Sequence, residues 1–373
     1  MIDDIKTLVL CESPSEDHDA VARSAEVVAG VGRRLLDAEP ERLVTDGCTH
    51  LRWRFGDGPP RVLLLGHHDT VWPLGSLRTH PFEVRDGVLR GPGCFDMKAG
   101  VVMALHAVAA LPDRTGVSIL ITGDEEIGSP LSRPLIEEEA RSCDAVFVLE
   151  ASADGGALKT RRKGVSRYWI EVEGRAAHAG LEPEKGVNAG IEVAHQILAV
   201  AALADPDRGT TVVPTALTAG TTTNTVPATA SVAVDARVWD AAEQDRVDRA
   251  VRSLRPVLAG SRIHIAGGIN RPPLDGKASS DLFKLAVSLS PDPLTEAAVG
   301  GASDGNFTAG LGVPTLDGLG AVGGGAHADH EHVLVAELPR RTALLIALTK
   351  TVLAQGSSSA TTNTPGESGA GQR

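Results

Sequence analysis

Aromatic side chains are scarce. Phe, Trp and Tyr make up 3% of the 373 residues, so a core must be assembled from Val, Leu, Ile and Ala. Cysteine is scarcer still: Cys11, Cys48, Cys94 and Cys143 stand far apart. That scatter has neither the paired spacing of a zinc module nor the density of a disulfide scaffold, and reduced thiols are the expectation. No apolar run reaches the ~20 residues needed to span a bilayer. The opening segment, MIDDIKTLVLCESPSED, lacks the basic start of a secretory signal. No membrane partner is expected, and the expected location is the cytoplasm. Positive charge is in deficit, with 36 Lys and Arg against 48 Asp and Glu. Phosphate binding needs a basic face, so nucleic acid is not an expected partner either.

What is present is a set of strand-like runs that end in metal-ligand residues. Leu63-Leu64-Leu65 leads into Gly66-His67-His68-Asp69. The run Val117 to Thr122 leads into Glu125-Glu126, and Ala145 to Leu149 leads into Glu150. Between them lies Gly91-Pro92-Gly93-Cys94-Phe95-Asp96, followed by a helix-like apolar stretch, Ala99 to Leu111. In an open α/β sheet the ligand crevice lies beyond the carboxyl ends of the strands. Several strands delivering His, Asp or Glu to that edge point to one metal centre, and so to an enzyme.

The chain is long enough for two domains. A helix from Met1 to Cys11, a capping turn at Ser13 to Asp17 and a helix from Asp19 to Leu36 open it. Strands near Arg42 to Thr45 and Leu51 to Phe55 follow. After Lys163 the style changes to strand Ser166–Glu173, helix Asn188–Leu203, strands Thr210–Thr218 and Thr229–Val238, helix Ala241–Leu258 and strand Ile263–Ala266. That β-α-β-β-α-β order is the ferredoxin-like unit. Residues 164–270 are therefore expected to form an inserted domain, with 1–163 and 271–355 forming the α/β domain around it. Arg271 to Leu274 reads as the return linker and Leu338 to Leu353 as the last helix. The polar tail, 356–373, is expected to be disordered.

The candidate ligands are His67, Asp96, Glu126, Glu150 and His327. All offer nitrogen or oxygen, which suits zinc and, less selectively, cobalt or manganese. Three carboxylates and two imidazoles exceed one tetrahedral ion but would serve two ions sharing a bridging carboxylate. Such a pair clamps the attacking and departing oxygens of a hydrolysis. Glu125 is the candidate base, because neighbouring side chains in a tight turn diverge and one acid can face the attacking water. Asp69 shares a strand face with His67 and suits a role behind it, orienting the imidazole. His68 points the other way. Cys94 reads as packing. The cluster Gly323 to His332 needs only one ligand histidine, and the others read as solvated. The basic run Lys159 to Lys163 reads as a hinge or a solvated face.

These motifs resemble the co-catalytic di-zinc exopeptidase family that includes aminoacylase, acetylornithine deacetylase, succinyl-diaminopimelate desuccinylase and the bacterial glutamate carboxypeptidases. The resemblance is carried by Gly66-His67-His68-Asp69-Thr70-Val71, Gly91 to Lys98, Asp124 to Ser129, Glu150 and His327, in family order. It implies a mixed central sheet flanked by helices, and an inserted lid that dimerises. Asp96 would bridge two Zn2+, with His67 and Glu150 on one and Glu126 and His327 on the other. A cis peptide would follow Asp96.

Further implications concern the lid. His178, in Gly174-Arg175-Ala176-Ala177-His178-Ala179-Gly180, would stabilise the oxyanion in the partner subunit's site. Asn224 and Arg237 would hold a substrate carboxylate, although a surface salt bridge is an equal alternative for Arg237. Gly301, in Gly300 to Gly305, would lie near the substrate with its backbone N–H. The form of the bridging loop and the stretch from Leu181 to Ala189 look most like the glutamate carboxypeptidase branch.

The implied activity is hydrolysis of an amide beside a free carboxylate, releasing a C-terminal amino acid such as glutamate from a peptide. Deacylation of an N-acyl amino acid is the alternative, and a silent binding protein on the same scaffold a remote one. A di-metal phosphoesterase is disfavoured by the motif order.

Overall fold

The computed structural model describes residues 1–359. They form two compact units: residues 1–158, 280–296 and 313 onward, and residues 159–279 with 297–312.

The first unit is built on a six-stranded sheet in the order Glu41–Thr45, Cys48–Arg54, Val117–Thr122, Val62–His67, Ala145–Val148, Thr315–Leu316. The last four strands run parallel, and the first two are antiparallel additions at one edge. Val62–His67, Val117–Thr122 and Ala145–Val148 are buried along their whole length. This explains why their sequences are near-continuous apolar runs rather than alternating ones. Helix Ala99–Ala109 is buried on almost every side, as a helix apolar all round must be. Helix His18–Leu36 buries one stripe, including Val21, Ala25, Val28 and Ala29. It starts where the Asp17 carboxylate accepts the Ala20 N–H at 2.9 Å.

A second, small sheet orders Gly323–Gly324, His332–Leu334, Val88–Arg90 and Glu83–Arg85. The last helix, Glu337–Ser359, reaches into the segment expected to be disordered; the remainder of that tail lies outside the described residues. No described helix is long and apolar enough to cross a membrane.

The second unit carries the β-α-β-β-α-β order. Its four-stranded antiparallel sheet runs Thr211–Ala219, Thr229–Val238, Gly164–Glu173, Arg262–Arg271, with helices Ala189–Ala201 and Ala241–Arg252. Alternation in Gly164–Glu173 puts Tyr168, Ile170 and Val172 inside, with Trp169, Glu171 and Glu173 outside. The apolar half meets Val193, Val200, Val247 and Val251 from the helices.

This unit also takes in the basic run and the loop near Gly301. Arg162 and Thr160 are buried, contrary to a solvated face. The Arg162 guanidinium donates to the Gly301 carbonyl at 3.0 Å, and Arg271 pairs with Asp304 at 2.9 Å. The Asn306 amide donates to the Pro272 carbonyl at 2.7 Å. These tethers attach 297–312 to the second unit, whereas the sequence alone assigns that stretch to the first.

Candidate metal centre

Three parallel strands end side by side, and each hands over a ligand type at or just past its last pairing. Val62–His67 delivers His67. Val117–Thr122 passes through Asp124 into the single turn Glu125–Ile127, and Ala145–Val148 leads to Glu150. Helix Ala99–Ala109 starts hard against the Glu150 strand end. A Cβ at Gly100 would stand 2.1 Å from the Leu149 carbonyl oxygen, so only glycine permits the approach. Asp96 sits in the turn before this helix, and the Asp96–Met97 peptide is cis. His327 adopts φ 62°, a left-handed conformation uncommon outside glycine.

The five side chains meet in two groups that share Asp96. His67 Nε2 lies 3.4 Å from Asp96 Oδ1 and 3.5 Å from Glu150 Oε1. His327 Nε2 lies 3.2 Å from Asp96 Oδ2 and 3.1 Å from Glu126 Oε2. Zinc bonds of ~2.0–2.1 Å give a tetrahedron with edges of about 3.3–3.4 Å. The donor separations, 3.1–3.5 Å, match those edges. His67 Nε2, Asp96 Oδ1 and Glu126 Oε1 are buried without a hydrogen-bond partner. Buried polar atoms are rarely left so, and here a cation would satisfy all three.

The electrostatics agree. Burial alone would depress His67, but Asp69, Asp96 and Glu150 outweigh it and push the imidazole well above its ordinary value. Asp96 and Glu126 push His327 up to about 10. Burial, with repulsion from Asp96, pushes Glu126 up to about 7. Acids crowded enough to repel one another, around rings that favour positive charge, fit a site built for divalent cations.

Behind the donors, His67 Nδ1 lies 3.0 Å from the Asp69 main-chain oxygen and 3.3 Å from Asp69 Oδ1. Asp69 thus orients the ring chiefly through its carbonyl. Its buried carboxylate does more for the acid pair, accepting the N–H groups of Glu125 and Glu126, each at 3.2 Å, and the Ser15 hydroxyl at 2.6 Å. An oxygen of Glu125 falls within 4.8 Å of the His67 and Glu150 donors, while one of Glu126 falls within 4.8 Å of the His67 and Asp96 donors and Glu126 Oε2 lies 3.1 Å from His327 Nε2. His68 turns away and is buried against the Thr49 carbonyl, 3.1 Å from Nε2.

Sequence reasoning misses three supports. Ser15 reads only as part of a turn. Asp124 accepts the N–H groups of Leu131 (2.7 Å) and Ser132 (3.1 Å) and shapes the loop after the acid pair. Glu331 is buried beneath the Asp96 loop, in a cluster whose sequence draws attention only to its histidines.

Cys94 is buried packing; burial pushes its thiol well above the ordinary value. A second trio, Cys48, His50 and Asp124, also brings ligand atoms within 4.8 Å of one another. Burial and the Asp124 charge push Cys48 up to about 12. That shift disfavours the thiolate that a metal takes as its ligand.

The remaining predicted residues lie in the second unit, in two places. His178 is exposed and bridges to Thr225, and the Ala179 N–H donates to the Asn224 carbonyl at 2.9 Å. His178 Nδ1 accepts the Gly180 N–H at 3.1 Å, which leaves Nε2 as the protonated, donating nitrogen of the neutral ring. Arg237 stands by the Gly300-Gly301 turn. It donates to Asp235 Oδ1 (2.8 Å) and Oδ2 (3.3 Å) and to the Gly300 carbonyl (3.0 Å).

Comparison with known proteins agrees with the site. The profile of peptidase family M20/M25/M40 matches residues 63–351. Carboxypeptidase G2 of Pseudomonas sp. is 32% identical over 303 residues, covering 77% of this chain and 72% of that protein. Succinyl-diaminopimelate desuccinylase of Xanthomonas euvesicatoria is 31% identical over 371 residues, covering 90% and 98%. Among solved structures, an M20 family metallo-carboxypeptidase of Sulfolobus solfataricus superposes with a TM-score of 0.71 at 16% identity, covering 94% of this chain and 98% of that one. Aminopeptidase PepT of Bacillus cereus superposes with a TM-score of 0.69 at 21% identity, covering 94% and 97%. With the α/β fold and the converging donors, these matches place the chain in peptidase family M20/M25/M40, as a metal-dependent hydrolase.

Proposed function

We propose that this enzyme hydrolyses an amide bond beside a free carboxylate, as a carboxypeptidase that releases a C-terminal amino acid such as glutamate. The observation that carries the reading is the pair of donor groups sharing Asp96, with Glu125 beside the first. Two zinc ions suit this all-nitrogen-and-oxygen set, with cobalt or manganese as substitutes. His67, Glu150 and Asp96 Oδ1 would hold one; Glu126, His327 and Asp96 Oδ2 would hold the other. When bound, such ions polarise a carbonyl and acidify water.

Glu125 accepts the proton of the attacking water and passes it to the leaving nitrogen. Asp69 keeps His67 and the Glu125-Glu126 turn in place. His178 offers its Nε2–H to the oxyanion, from the partner subunit of a homodimer. Arg237 and the Gly301 N–H hold the substrate carboxylate, and Asn224, which sits beside His178 at the other end of the sheet, reaches it from the partner subunit. An arginine fork matches a carboxylate in shape, and substrate would compete with Asp235 for it. The dimer is supported by strand Thr211–Ala219, an open sheet edge with exposed Val213 and Leu217, near exposed Ile191 and Leu198. Such an edge calls for cover. All four cysteines are free, which favours the cytoplasm.

One observation favours a second reading, N-acyl-amino-acid deacylation. The desuccinylase match runs through 98% of that relative, further than the carboxypeptidase match at 72%. A substrate panel separates the two. Turnover of dipeptide or folate-like substrates ending in glutamate, well above that of acetyl- and succinyl-amino acids, is expected. The reverse order would establish the deacylase.

A further inference from the structure

The group that joins the two ligand-bearing loops is itself not a donor to either site. Asp96 and His327 are far apart in sequence, yet their loops leave the same small sheet. Strand Val88–Arg90 pairs with His332–Leu334, with Arg90 opposite His332. One residue beyond Arg90 begins the loop Gly91 to Asp96. One residue before His332 stands Glu331, which closes the loop that carries His327. That loop is compact: the Ala328 N–H donates to the Gly325 carbonyl and the Glu331 N–H to the Ala328 carbonyl, both at 2.9 Å.

Glu331 is 3% exposed and turns its carboxylate under the facing loop. Oε1 accepts the N–H groups of Phe95 at 2.8 Å and Asp96 at 3.0 Å. Oε2 accepts the Gly93 N–H at 2.9 Å and the Trp72 indole N–H at 2.7 Å. All four contacts come from donors, so the site asks for a pure acceptor, which an ionised carboxylate is and an amide is not. Three backbone N–H groups folded around one buried anion make a nest, here with the anion supplied by the chain.

We propose that Glu331 is a positioning residue that fixes the separation of Asp96 from His327 and thereby sets the affinity of the donor group formed by Asp96, Glu126 and His327. The inference rests on the metal reading given above. Its physical content is a single fastening. With the carboxylate in place, the Asp96 N–H and the His327 loop are held by one rigid planar group. The 3.2 Å approach of His327 Nε2 to Asp96 Oδ2 is then prepared in advance. In Glu331→Gln one oxygen becomes an NH2 facing two N–H donors, and the loops lose that register.

The test is a Co2+ titration of chelator-treated wild type and E331Q, reading ion count, stepwise affinity and visible absorption, alongside the Tm of each protein before titration. Mutating a group that orients metal ligands typically weakens metal binding about 10–100-fold. A loss of that size is expected for the ion held by Asp96, Glu126 and His327, with an altered cobalt spectrum, and a smaller loss for the ion that shares Asp96. Wild-type affinities and spectrum in E331Q, with only a lower Tm, would reduce Glu331 to a structural role and overturn the inference. Should E331Q fail to fold, E331D decides. It keeps the charge but falls one methylene short, so weakening of the same ion is expected, and wild-type affinity overturns the proposal. A wild type that takes up no cobalt overturns the metal reading, and this inference with it.

Discussion

Replacing Asp69 by asparagine changes one oxygen to NH2 and almost nothing in shape, at a side chain with no exposed surface. Oδ1 serves the Glu125 N–H and lies near His67 Nδ1; Oδ2 serves the Glu126 N–H and the Ser15 hydroxyl. The best orientation of the substituted amide puts NH2 at the Oδ2 position, where the Ser15 hydroxyl can turn and accept. The Glu126 N–H then faces a donor. One buried donor left unmatched costs about 1–3 kcal/mol, and the lost charge assistance on the remaining contacts adds to it, so roughly 2–4 kcal/mol is expected in all.

Urea unfolding after chelation measures the loss as a lower midpoint at unchanged slope. The pH dependence has a definite sign. Burial opposes ionisation of Asp69, but His67 and Ser15 outweigh it and hold the group below its ordinary 3.8. Its contribution is fully present above 3.8 and is lost as pH falls through the lower folded value, so the gap between wild type and variant should close in acid. A loss under about 0.5 kcal/mol at neutral pH, smaller than any single unmatched buried donor, would refute this account of the turn.

Four further outcomes are expected. Metal uptake should release protons, because neighbouring carboxylates hold His67 and His327 above their ordinary values; affinity should fall as pH falls. Calorimetry in two buffers of different ionisation enthalpy checks this, and equal heats would contradict it. In the second unit, buried Glu192 accepts the N–H groups of Val257 and Leu258 and the Ser261 hydroxyl. Glu192→Ala should destabilise by roughly 2–4 kcal/mol, read by urea unfolding, and a neutral effect would contradict the role. Arg237→Ala should raise KM roughly 10–100-fold for a carboxylate substrate if one charge-assisted contact is lost. The same substrate with its terminus amidated should show no such change; equal effects on both would count against carboxylate recognition. Heterodimers of a Glu125→Gln subunit with a His178→Ala subunit should recover activity that neither homodimer shows, and no recovery in proven heterodimers would remove His178 from the partner's site.

The sheet of the first unit was legible because its central strands are buried on both faces and therefore read as largely apolar runs, such as Val62 to Leu65 and Ala145 to Val148. The ligand types beyond those runs were legible for the same reason, since parallel strands must end at one edge. The second unit's sheet was legible from alternation in Ser166 to Glu173 and from the order of its elements. Supports that depend on long-range hydrogen bonding were not. Ser15 meets Asp69 across 54 positions, and Glu331 meets Asp96 across 235; no local period marks either pairing. The unit boundary was misplaced for a related reason. Residues 297–312 follow the first unit's helix Ser280–Leu289 in sequence, yet they are held by Arg162 and Arg271 of the other unit.

Metal content of the purified protein, measured by elemental analysis together with turnover of a glutamate-terminated substrate, decides whether this chain is a two-metal hydrolase with Glu125 as its base when wild type and Glu125→Gln are compared. Two ions per chain are expected in both proteins, with a loss of about 10²–10⁴-fold in kcat for the variant, the range for removing a positioned general base. One ion or none per chain, or a Glu125→Gln protein that turns over as wild type does, would contradict that reading.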